Sequence, residues 1–165
     1  MDLAAYLQRI DFQGEPKVDL PTLCAVHRQH LLQIPYENID VQLGRPLDFD
    51  RERIFSKLVT AHRGGWCYEM NGLLEWALQE IGFDVVRMCG GVMRAERGDA
   101  QMGNHLVLRV DLDQTYLIDV GFGDGLYEPI PLAVGTYRQR SLNYRLELMN
   151  DGLWRFHNHS ASRVS

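Results

Sequence analysis

Apolar residues recur at helical spacing through the first half of the chain. This spacing predicts three helices, at about 3–10, 21–32 and 51–62, with Asp50 positioned to cap the third. The stretch 34–46 lacks periodicity and is predicted as an ordered loop. The N-terminal half is therefore expected to be a helical bundle.

A fourth and more strongly apolar helix is predicted to begin near Cys67 and to end at Gly82. One turn back from Met70 along its apolar stripe lies Cys67, so the sulfur is expected on the core-facing edge of the first turn. Gly64 and Gly65 free the backbone just before the cysteine. The partial positive charge of a helix N-terminus favours a thiolate, so this position suits a nucleophile.

Beyond residue 82 the pattern changes to short strand-like runs, which predict five or six strands. The predicted strand regions are 83–93, 104–110, 115–120, 143–149 and 153–157, with turns at 111–114 and 150–152 and a polar loop over 94–103. The expected fold class is therefore α+β, with a helical domain over 1–82 that carries the cysteine. An antiparallel, β-barrel-like domain is expected over 83–165.

Composition narrows the classes of function. The chain has 165 residues, of which 45% are hydrophobic, and this is enough for one substantial core. A formal net charge of -5 argues against nucleic acid or an anionic membrane as a partner. We expect no leader peptide and no membrane span, since the chain has no long apolar run. Three cysteines without a CxxC pair indicate a cytoplasmic protein with free thiols.

A cysteine nucleophile needs a base, and the base needs an orienting group. His105 opens a predicted strand after a Gly-Asn bend, so its ring can project at the strand end. Asp119 is the one charge within the apolar run of the next strand, where a carboxylate is costly unless it has a partner. Because a hairpin joins the two strands, these two residues are expected to be neighbours. One ring nitrogen would then remain free to take the thiol proton of Cys67.

Each of these residues also has a structural interpretation. His105 could bind only backbone at a strand end, and Asp119 could cap the Gly-Phe-Gly turn that follows it. A metal site on Cys67 and His105 would need a third ligand at suitable spacing, and the sequence offers none, so no metal is expected. The order Cys, His, Asp on a helix start and two adjacent strands favours catalysis.

The segment Arg63-Gly64-Gly65-Trp66-Cys67-Tyr68-Glu69-Met70-Asn71 resembles the Arg-Gly-Gly-x-Cys-x-Glu-x-Asn signature of the arylamine N-acetyltransferase family. Further segments resemble that family in order and spacing, and they lie at 34–41, 90–92, 104–108 and 119–123. The resemblance extends over essentially the whole chain. It assigns the family's catalytic triad to Cys67, His105 and Asp119, the residues that the pattern had already indicated.

The resemblance implies a ping-pong acetyl transfer of the kind used in xenobiotic metabolism. Cys67, paired with protonated His105, would take the acetyl group from acetyl-CoA and pass it to an arylamine, arylhydroxylamine or hydrazine. Asp119 would orient the imidazole and stabilise its charge. The backbone N–H of Cys67, with an amide near Gly103 or Asn104, is expected to bind the oxyanion.

The resemblance also implies supporting residues. The pocket for the acyl group, the amine and CoA would be formed by Tyr36, Val92, Asn104, Phe122 and Gly123. Arg63 and Glu37 are expected to form a partly buried ion pair that ties the 34–46 loop to the cysteine turn. Glu69 and Asn71 are expected to hold neighbouring groups in position.

Three features depart from the family pattern. Asp124 stands where the family has glycine, and its charge would repel CoA phosphates. Tyr36 stands where phenylalanine is common and adds a hydroxyl to the amine pocket. Family members continue into a third, mixed α/β domain, whereas this sequence ends at Ser165. The chain is therefore expected to be a fragment or a short form with an open cleft, which a homodimer would cover.

Two other functions stay open beside acetyl transfer. The same triad would serve a cysteine hydrolase or an amide synthase of the transglutaminase-like and papain-like group. A truncated chain that no longer turns over would act as a binding protein instead.

Overall fold

The structure of the protein is a computed structural model, which describes residues 1–47 and 49–162. The α-helices of these residues are α1 (Leu3–Arg9), α2 (Leu20–Gln33), α3 (Ile39–Gln42), α4 (Arg51–Phe55), α5 (Cys67–Ile81) and α6 (Arg94–Arg97). A π-helical turn, Ser56–Thr60, continues α4, and a 3₁₀ turn, Asp99–Gln101, follows α6. No described helix has the length and apolar character needed to cross a membrane.

The strands form two antiparallel sheets. They are β1 (Asp84–Gly90), β2 (His105–Asp111), β3 (Thr115–Ile118), β4 (Ile130–Pro131), β5 (Gly135–Gln139), β6 (Leu142–Leu148) and β7 (Trp154–His157). The first sheet has the order β1-β2-β3-β4, and the second has the order β5-β6-β7. The α+β class predicted from the sequence is confirmed. The barrel-like closure is not observed, because each sheet stays open over the residues that the structure describes.

The helical half follows the predicted pattern with two differences. The 34–46 stretch, predicted as a loop, contains the single-turn helix α3, which is too short for a periodic pattern to reveal. The third helix ends before His62, which adopts a left-handed φ of 52° and is exposed. Asp50 caps α4 as expected, since its carboxylate accepts a hydrogen bond from the Arg53 amide at 3.0 Å.

The β half contains two strands that the sequence pattern did not indicate. Strand β4 has two residues, and one of them is Pro131, which cannot donate to a ladder; β5 begins at Gly135. The 94–103 stretch, predicted as a polar loop, contains α6 and the 3₁₀ turn. Pairing with β3 and β6 decides where β4 and β5 lie, because their own sequences carry a weak strand signal.

Helix α5 lies at the centre of the main hydrophobic core. It is buried on all sides from residue 69 to residue 78, and it packs against α1, α2, α4, β1 and β2. This core extends from Tyr6 and Leu23 in the helices to Leu108 and Ile118 in the first sheet. It therefore crosses residue 82, and the domain boundary proposed there stays a prediction. The last positions of the predicted β domain, 163–165, lie outside the described residues.

A smaller apolar cluster attaches the second sheet to the first. Leu117 and Ile130 contribute from β3 and β4, and Tyr144 and Leu146 contribute from β6. Leu126, in the connection between β3 and β4, completes the cluster. The segment that follows β3 is consequently held between the two sheets.

Two histidines of α2 are fully buried. The His27 Nδ1 atom lies 3.2 Å from the Tyr127 carbonyl, and the His30 Nδ1 atom lies 2.9 Å from the Tyr6 hydroxyl. Among the described residues, the Nε2 atoms of both rings have no hydrogen-bond partner. Burial lowers the pKa of His27 to about 4 and the pKa of His30 to about 3. Both rings are therefore neutral in the folded protein at neutral pH.

These buried rings predict a loss of stability in mild acid. The unfolded chain binds a proton at each histidine near the ordinary pKa of about 6.5, whereas the folded rings stay neutral down to about pH 4. Stability is therefore fully present above pH 6.5 and falls as the pH drops below it, by about 1–2 kcal/mol per histidine at pH 5. Urea unfolding at pH 7 and pH 5 measures this loss.

The matched variants are His30→Gln, which removes one titrating ring but can still bind Tyr6, and His62→Gln, which removes an exposed histidine. The difference in unfolding free energy between the two pH values should shrink in His30→Gln and stay unchanged in His62→Gln. An equal loss in His30→Gln and in the wild type would contradict the prediction.

Candidate active site

The turn before α5 packs directly on the loop after α2. A Cβ atom on Gly64 would lie 2.1 Å from the Pro35 carbonyl oxygen, so this approach requires glycine. The backbone N–H of Trp66 donates to the Glu69 carboxylate at 3.2 Å, which caps the helix start. The sulfur of Cys67 consequently lies at the head of a buried helix, and the residue is 5% exposed.

The other two predicted catalytic residues lie at strand ends in the first sheet. His105 is the first residue of β2, and Asp119 directly follows β3. The antiparallel register pairs Leu108 with Ile118, so the first residues of β2 lie beside the residue that follows β3. The His105 Nε2 atom and the Asp119 Oδ2 atom are 2.6 Å apart, and both side chains are buried. The predicted pairing of these residues is present in the structure.

Asn71 connects α5 to both of these strands. Its Nδ2 group donates to the Leu106 carbonyl at 2.7 Å and to the Asp119 Oδ1 atom at 2.8 Å. Its Oδ1 atom accepts from the Val120 amide at 3.0 Å. The Gly121 amide also donates to Asp119 Oδ1, at 2.8 Å, so Asp119 caps the following turn as well as binding the histidine. Every side-chain polar atom of Asn71 is used in holding this arrangement.

The environment of His105 favours its charged form. Burial of the ring alone would lower its pKa, but the charge and hydrogen bond of Asp119, together with interaction with Cys67, outweigh burial and raise the pKa of His105 well above its ordinary value. An imidazolium beside a thiol at a helix start can stabilise a thiolate. The set can therefore supply a sulfur nucleophile and a proton donor at one point.

A network of charged side chains supports the cysteine turn. The Arg63 guanidinium pairs with Glu37 and lies 3.1 Å from the Asp40 carboxylate, as the predicted ion pair requires. The Lys57 ammonium group lies 2.9 Å from Asp40 and 2.8 Å from Glu69. Hydrogen bonding to Arg63 lowers the pKa of Glu37, so this carboxylate is charged at neutral pH. The network ties α3, the π-helical turn and the start of α5 together.

A cavity of about 900 Å³ between the two sheets reaches His105 and Asp119, whereas Cys67 is not part of its wall. His105, Asp119, Val92 and Phe122 lie on its wall, together with apolar residues of both sheets. Three predicted pocket residues do not contribute to this wall: Tyr36, Asn104 and Gly123. The cavity therefore contains only part of the predicted pocket.

The three other pocket residues have contacts of their own. The Asn104 side chain binds the backbone of Val92, as acceptor at 2.8 Å and as donor at 3.1 Å. Tyr36 pairs with Gly65 as an isolated parallel bridge, and its ring lies 3.6 Å from the point where a Cβ on Gly123 would stand. Asn104 thus holds the loop that carries Val92 rather than lining the cavity.

Comparison with known proteins identifies the family of the chain. A family profile described as N-acetyltransferase matches residues 19–165. The arylamine N-acetyltransferase of Mycolicibacterium smegmatis is 46% identical over 159 residues, which are 92% of this chain and 58% of that protein. The chain belongs to the arylamine N-acetyltransferase family.

Solved structures of the family superpose on most of the chain. The Salmonella typhimurium arylamine N-acetyltransferase gives a TM-score of 0.87 at 33% identity, over 98% of this chain and 60% of that one. The Mycobacterium marinum enzyme in complex with CoA gives 0.87 at 34% identity, over 99% of this chain and 62% of that one. The chain spans less than two thirds of the length of each of these relatives.

The second oxyanion donor, which we expected on geometric grounds near Gly103 or Asn104, is not available at either amide. The Gly103 amide donates to the Gly90 carbonyl at 2.9 Å, and the Asn104 amide donates to the Gln101 carbonyl at 3.1 Å. The Asn104 carbonyl oxygen, and not its amide, faces Cys67, at 3.9 Å from the sulfur. The Cys67 amide lies in the first turn of α5, where amides have no intrahelical acceptor, and it stays a candidate.

Sequence reasoning missed Asp40 and Lys57 as members of the site's support. Asp40 belongs to the Pro-Tyr-Glu-Asn-Ile-Asp segment that resembles the arylamine N-acetyltransferase family, and this is the signal that could have found it. Lys57 and Glu69 lie on different helical elements, so no local spacing links them. Only the tertiary contact reveals its role.

The close approach of Gly121 to α5 predicts that a methyl group there displaces the site. A Cβ on Gly121 would lie 2.6 Å from the Cys67 Cα atom and 2.7 Å from Asn71 Nδ2. Gly121→Ala is expected to lower the free energy of unfolding by about 2–3 kcal/mol. Gly72→Ala, within α5, is the matched control, because a Cβ at this position meets nothing within 4 Å. It should raise the free energy of unfolding by about 0.5–1 kcal/mol. Chemical denaturation of both variants measures the difference, and equal stability would contradict the prediction.

The charged network predicts unequal effects for two cations that bind the same carboxylate. Lys57→Met leaves Glu69 buried without its cation and should lower the free energy of unfolding by about 2–4 kcal/mol. Arg45 pairs with Asp40 at 2.7 Å but is largely exposed, so Arg45→Met should lower the free energy of unfolding by under about 1 kcal/mol. Denaturant unfolding of Lys57→Met and Arg45→Met tests this, and a similar cost for both would count against the network as a support of the cysteine turn.

Proposed function

We propose that this chain carries the active site of an acetyl-CoA-dependent N-acetyltransferase, which acts on arylamines, arylhydroxylamines or hydrazines through an S-acetyl-cysteine. The observation that carries the proposal is the 2.6 Å contact between His105 and Asp119 beside a cysteine at the head of α5. Cys67 is the nucleophile, His105 is the proton carrier, and Asp119 orients the ring. Membership of the arylamine N-acetyltransferase family supports the choice of substrates.

The first half-reaction acetylates the enzyme. The Cys67 thiolate attacks the carbonyl carbon of the acetyl-CoA thioester, and a new carbon–sulfur bond forms as the bond to the CoA sulfur breaks. The imidazolium of His105 gives its proton to the departing CoA thiolate. The Cys67 backbone N–H, at the positive end of the helix, is directed to the oxygen that gains charge. The M. marinum relative solved with CoA supports this donor.

The second half-reaction returns the enzyme to its starting state. The nitrogen of the amine or hydrazine attacks the S-acetyl carbon, the carbon–sulfur bond breaks, and the cysteine leaves as a thiolate. His105, now neutral, accepts the proton that the nitrogen loses, so the thiolate–imidazolium pair is restored. Asp119 holds the ring by one nitrogen throughout and stabilises its positive charge, as in other cysteine and serine triads.

Substrate contacts follow from the geometry of the site. We infer that Val92 and Phe122, on the cavity wall beside His105, contact the acyl group or the aromatic ring of the amine. We also infer that Tyr36, whose ring packs near Gly123, contacts the amine. Activity in the cytoplasm and association into a homodimer belong to the same proposal.

The S-acetyl intermediate provides the sharpest test. Incubation with acetyl-CoA, without amine, should add one acetyl group to the Cys67 peptide, and an aromatic amine or hydrazine should then remove it. Cys67→Ala should abolish the label, whereas Cys89→Ala, which removes an exposed thiol, should keep it. Asp119→Asn should slow acetylation by about 100-fold or more, because the ring loses its orienting anion. Peptide mass spectrometry and rapid-quench kinetics measure these effects.

The same experiment separates the other functions. Loss of the acetyl group to water at an equal rate with and without amine would indicate a hydrolase. A folded protein whose Cys67 stays unmodified would contradict acetyl transfer and leave a binding role.

A further inference from the structure

The loop that follows Asp119 is held from two sides. We call residues 121–125 the Phe122 loop. On its first side, Gly121 donates to Asp119 and packs against the backbone of Cys67. Glycine stands at three of its five positions, and Gly123 has a positive φ of 80°. Such a sequence has many accessible conformations, so the loop depends on outside contacts for a single one.

The contacts on the second side come from the segment after β7. The His159 Nε2 atom lies 2.9 Å from the Asp124 carboxylate, and the Asn158 side chain donates to the Asp124 carbonyl at 2.8 Å. His159 is 7% exposed, although Asp124 itself is largely exposed. The carboxylate that the family resemblance led us to expect as a source of repulsion for CoA therefore has a partner within the chain.

A series of aromatic rings connects this contact to the catalytic histidine. The His159 ring packs edge-on against Tyr144 at 5.7 Å, and the Tyr144 hydroxyl donates to the Gly125 carbonyl at 2.9 Å. Phe156 stacks on Tyr144 and also contacts Phe122. The Phe122 ring in turn meets His105 at 5.4 Å, nearly perpendicular to it. These contacts fix both the backbone of the Phe122 loop and the side chain that touches His105.

We propose that Asp124 and His159 are positioning residues, which hold Phe122 against the ring of His105 and thereby keep the Cys67–His105 pair reactive. Neither residue touches the reacting atoms. Their hydrogen bond fastens the far end of the Phe122 loop, and Phe122 then shields one face of His105 from water and limits its rotation. The inference deepens the proposed function, because it takes Cys67 and His105 as the reacting pair.

A contact between Asp124 and His159 that only stabilised the fold would give different experimental results. If the contact only ties down the segment after β7, its loss lowers the temperature of unfolding and leaves the reactivity of Cys67 unchanged. If it positions Phe122, the folded variant has a less reactive cysteine. Alkylation of Cys67 by iodoacetamide separates the two cases, since it needs neither acetyl-CoA nor an amine.

The disrupting variants are Asp124→Ala and His159→Leu, each of which removes the hydrogen bond from one end. Both should slow Cys67 alkylation at pH 7 by about three- to tenfold, the scale of one lost hydrogen bond, at temperatures where far-UV circular dichroism reports a folded protein. The double variant should be no slower than either single variant, because the two residues act through one contact. Asp124→Asn retains an acceptor for His159 and should restore the wild-type rate.

Glu147→Ala is the matched control. Glu147 accepts a hydrogen bond from His157 at 2.8 Å, so the variant removes the acceptor of a carboxylate–histidine pair in the second sheet that does not touch the Phe122 loop. Its alkylation rate should equal that of the wild type. Wild-type alkylation rates in folded Asp124→Ala and His159→Leu would overturn the proposal, and so would an Asp124→Asn variant as slow as Asp124→Ala.

The proposed function is judged separately from this inference. The same proteins are incubated with acetyl-CoA, and acetylation of Cys67 is measured beside alkylation. If alkylation follows the expected order while even the wild type is not acetylated, the positioning role stands and acetyl transfer fails. If the wild type is acetylated but all variants are alkylated alike, acetyl transfer stands and the positioning role fails.

Discussion

The arrangement of this protein depends on the side chain of Asn71, which joins α5 to two other parts of the chain with all of its hydrogen-bonding atoms. It binds the Leu106 carbonyl in β2, the Asp119 carboxylate after β3 and the Val120 amide beyond it. Because Asn71 lies one turn after Cys67 on the same buried helix, these bonds set the distance between the sulfur and the histidine–aspartate pair. A buried amide with every bond satisfied is rigid, and the loss of any bond is costly.

Two supports on opposite sides keep that arrangement in place. The ion pairs among Lys57, Asp40 and Glu69 fasten the turn from which α5 begins. On the other side, the second sheet contributes Tyr144 and the segment that carries His159, which bind the Phe122 loop. The thiol and the imidazole therefore belong to elements that are each restrained from outside the site. Preorganisation of this kind is what lets a nucleophile and its proton carrier act without rearrangement.

The geometry of the candidate site was predictable because its residues stand in recognisable local patterns of the sequence. A pair of glycines before a cysteine and an apolar helix marked the position of Cys67, and a lone carboxylate in an apolar strand marked Asp119. The oxyanion partner was not predictable, since the hydrogen bonds of the amides at Gly103 and Asn104 depend on contacts with Gly90 and Gln101. The elements α3 and β4 escaped prediction because each is too short to carry a period, and β5 escaped it because its own sequence carries a weak strand signal. All three are held by their neighbours.

The sequence by itself determined the fold class, the helix that presents the cysteine and the strand hairpin that brings His105 to Asp119. These features follow from local periodicity and from turns that few residue types allow. Only the tertiary structure decided that the sheets stay open over the described residues, that Lys57 neutralises Glu69, and that Asp124 binds His159. Those contacts join residues far apart in the chain, where no local pattern constrains the partner, and packing alone selects it.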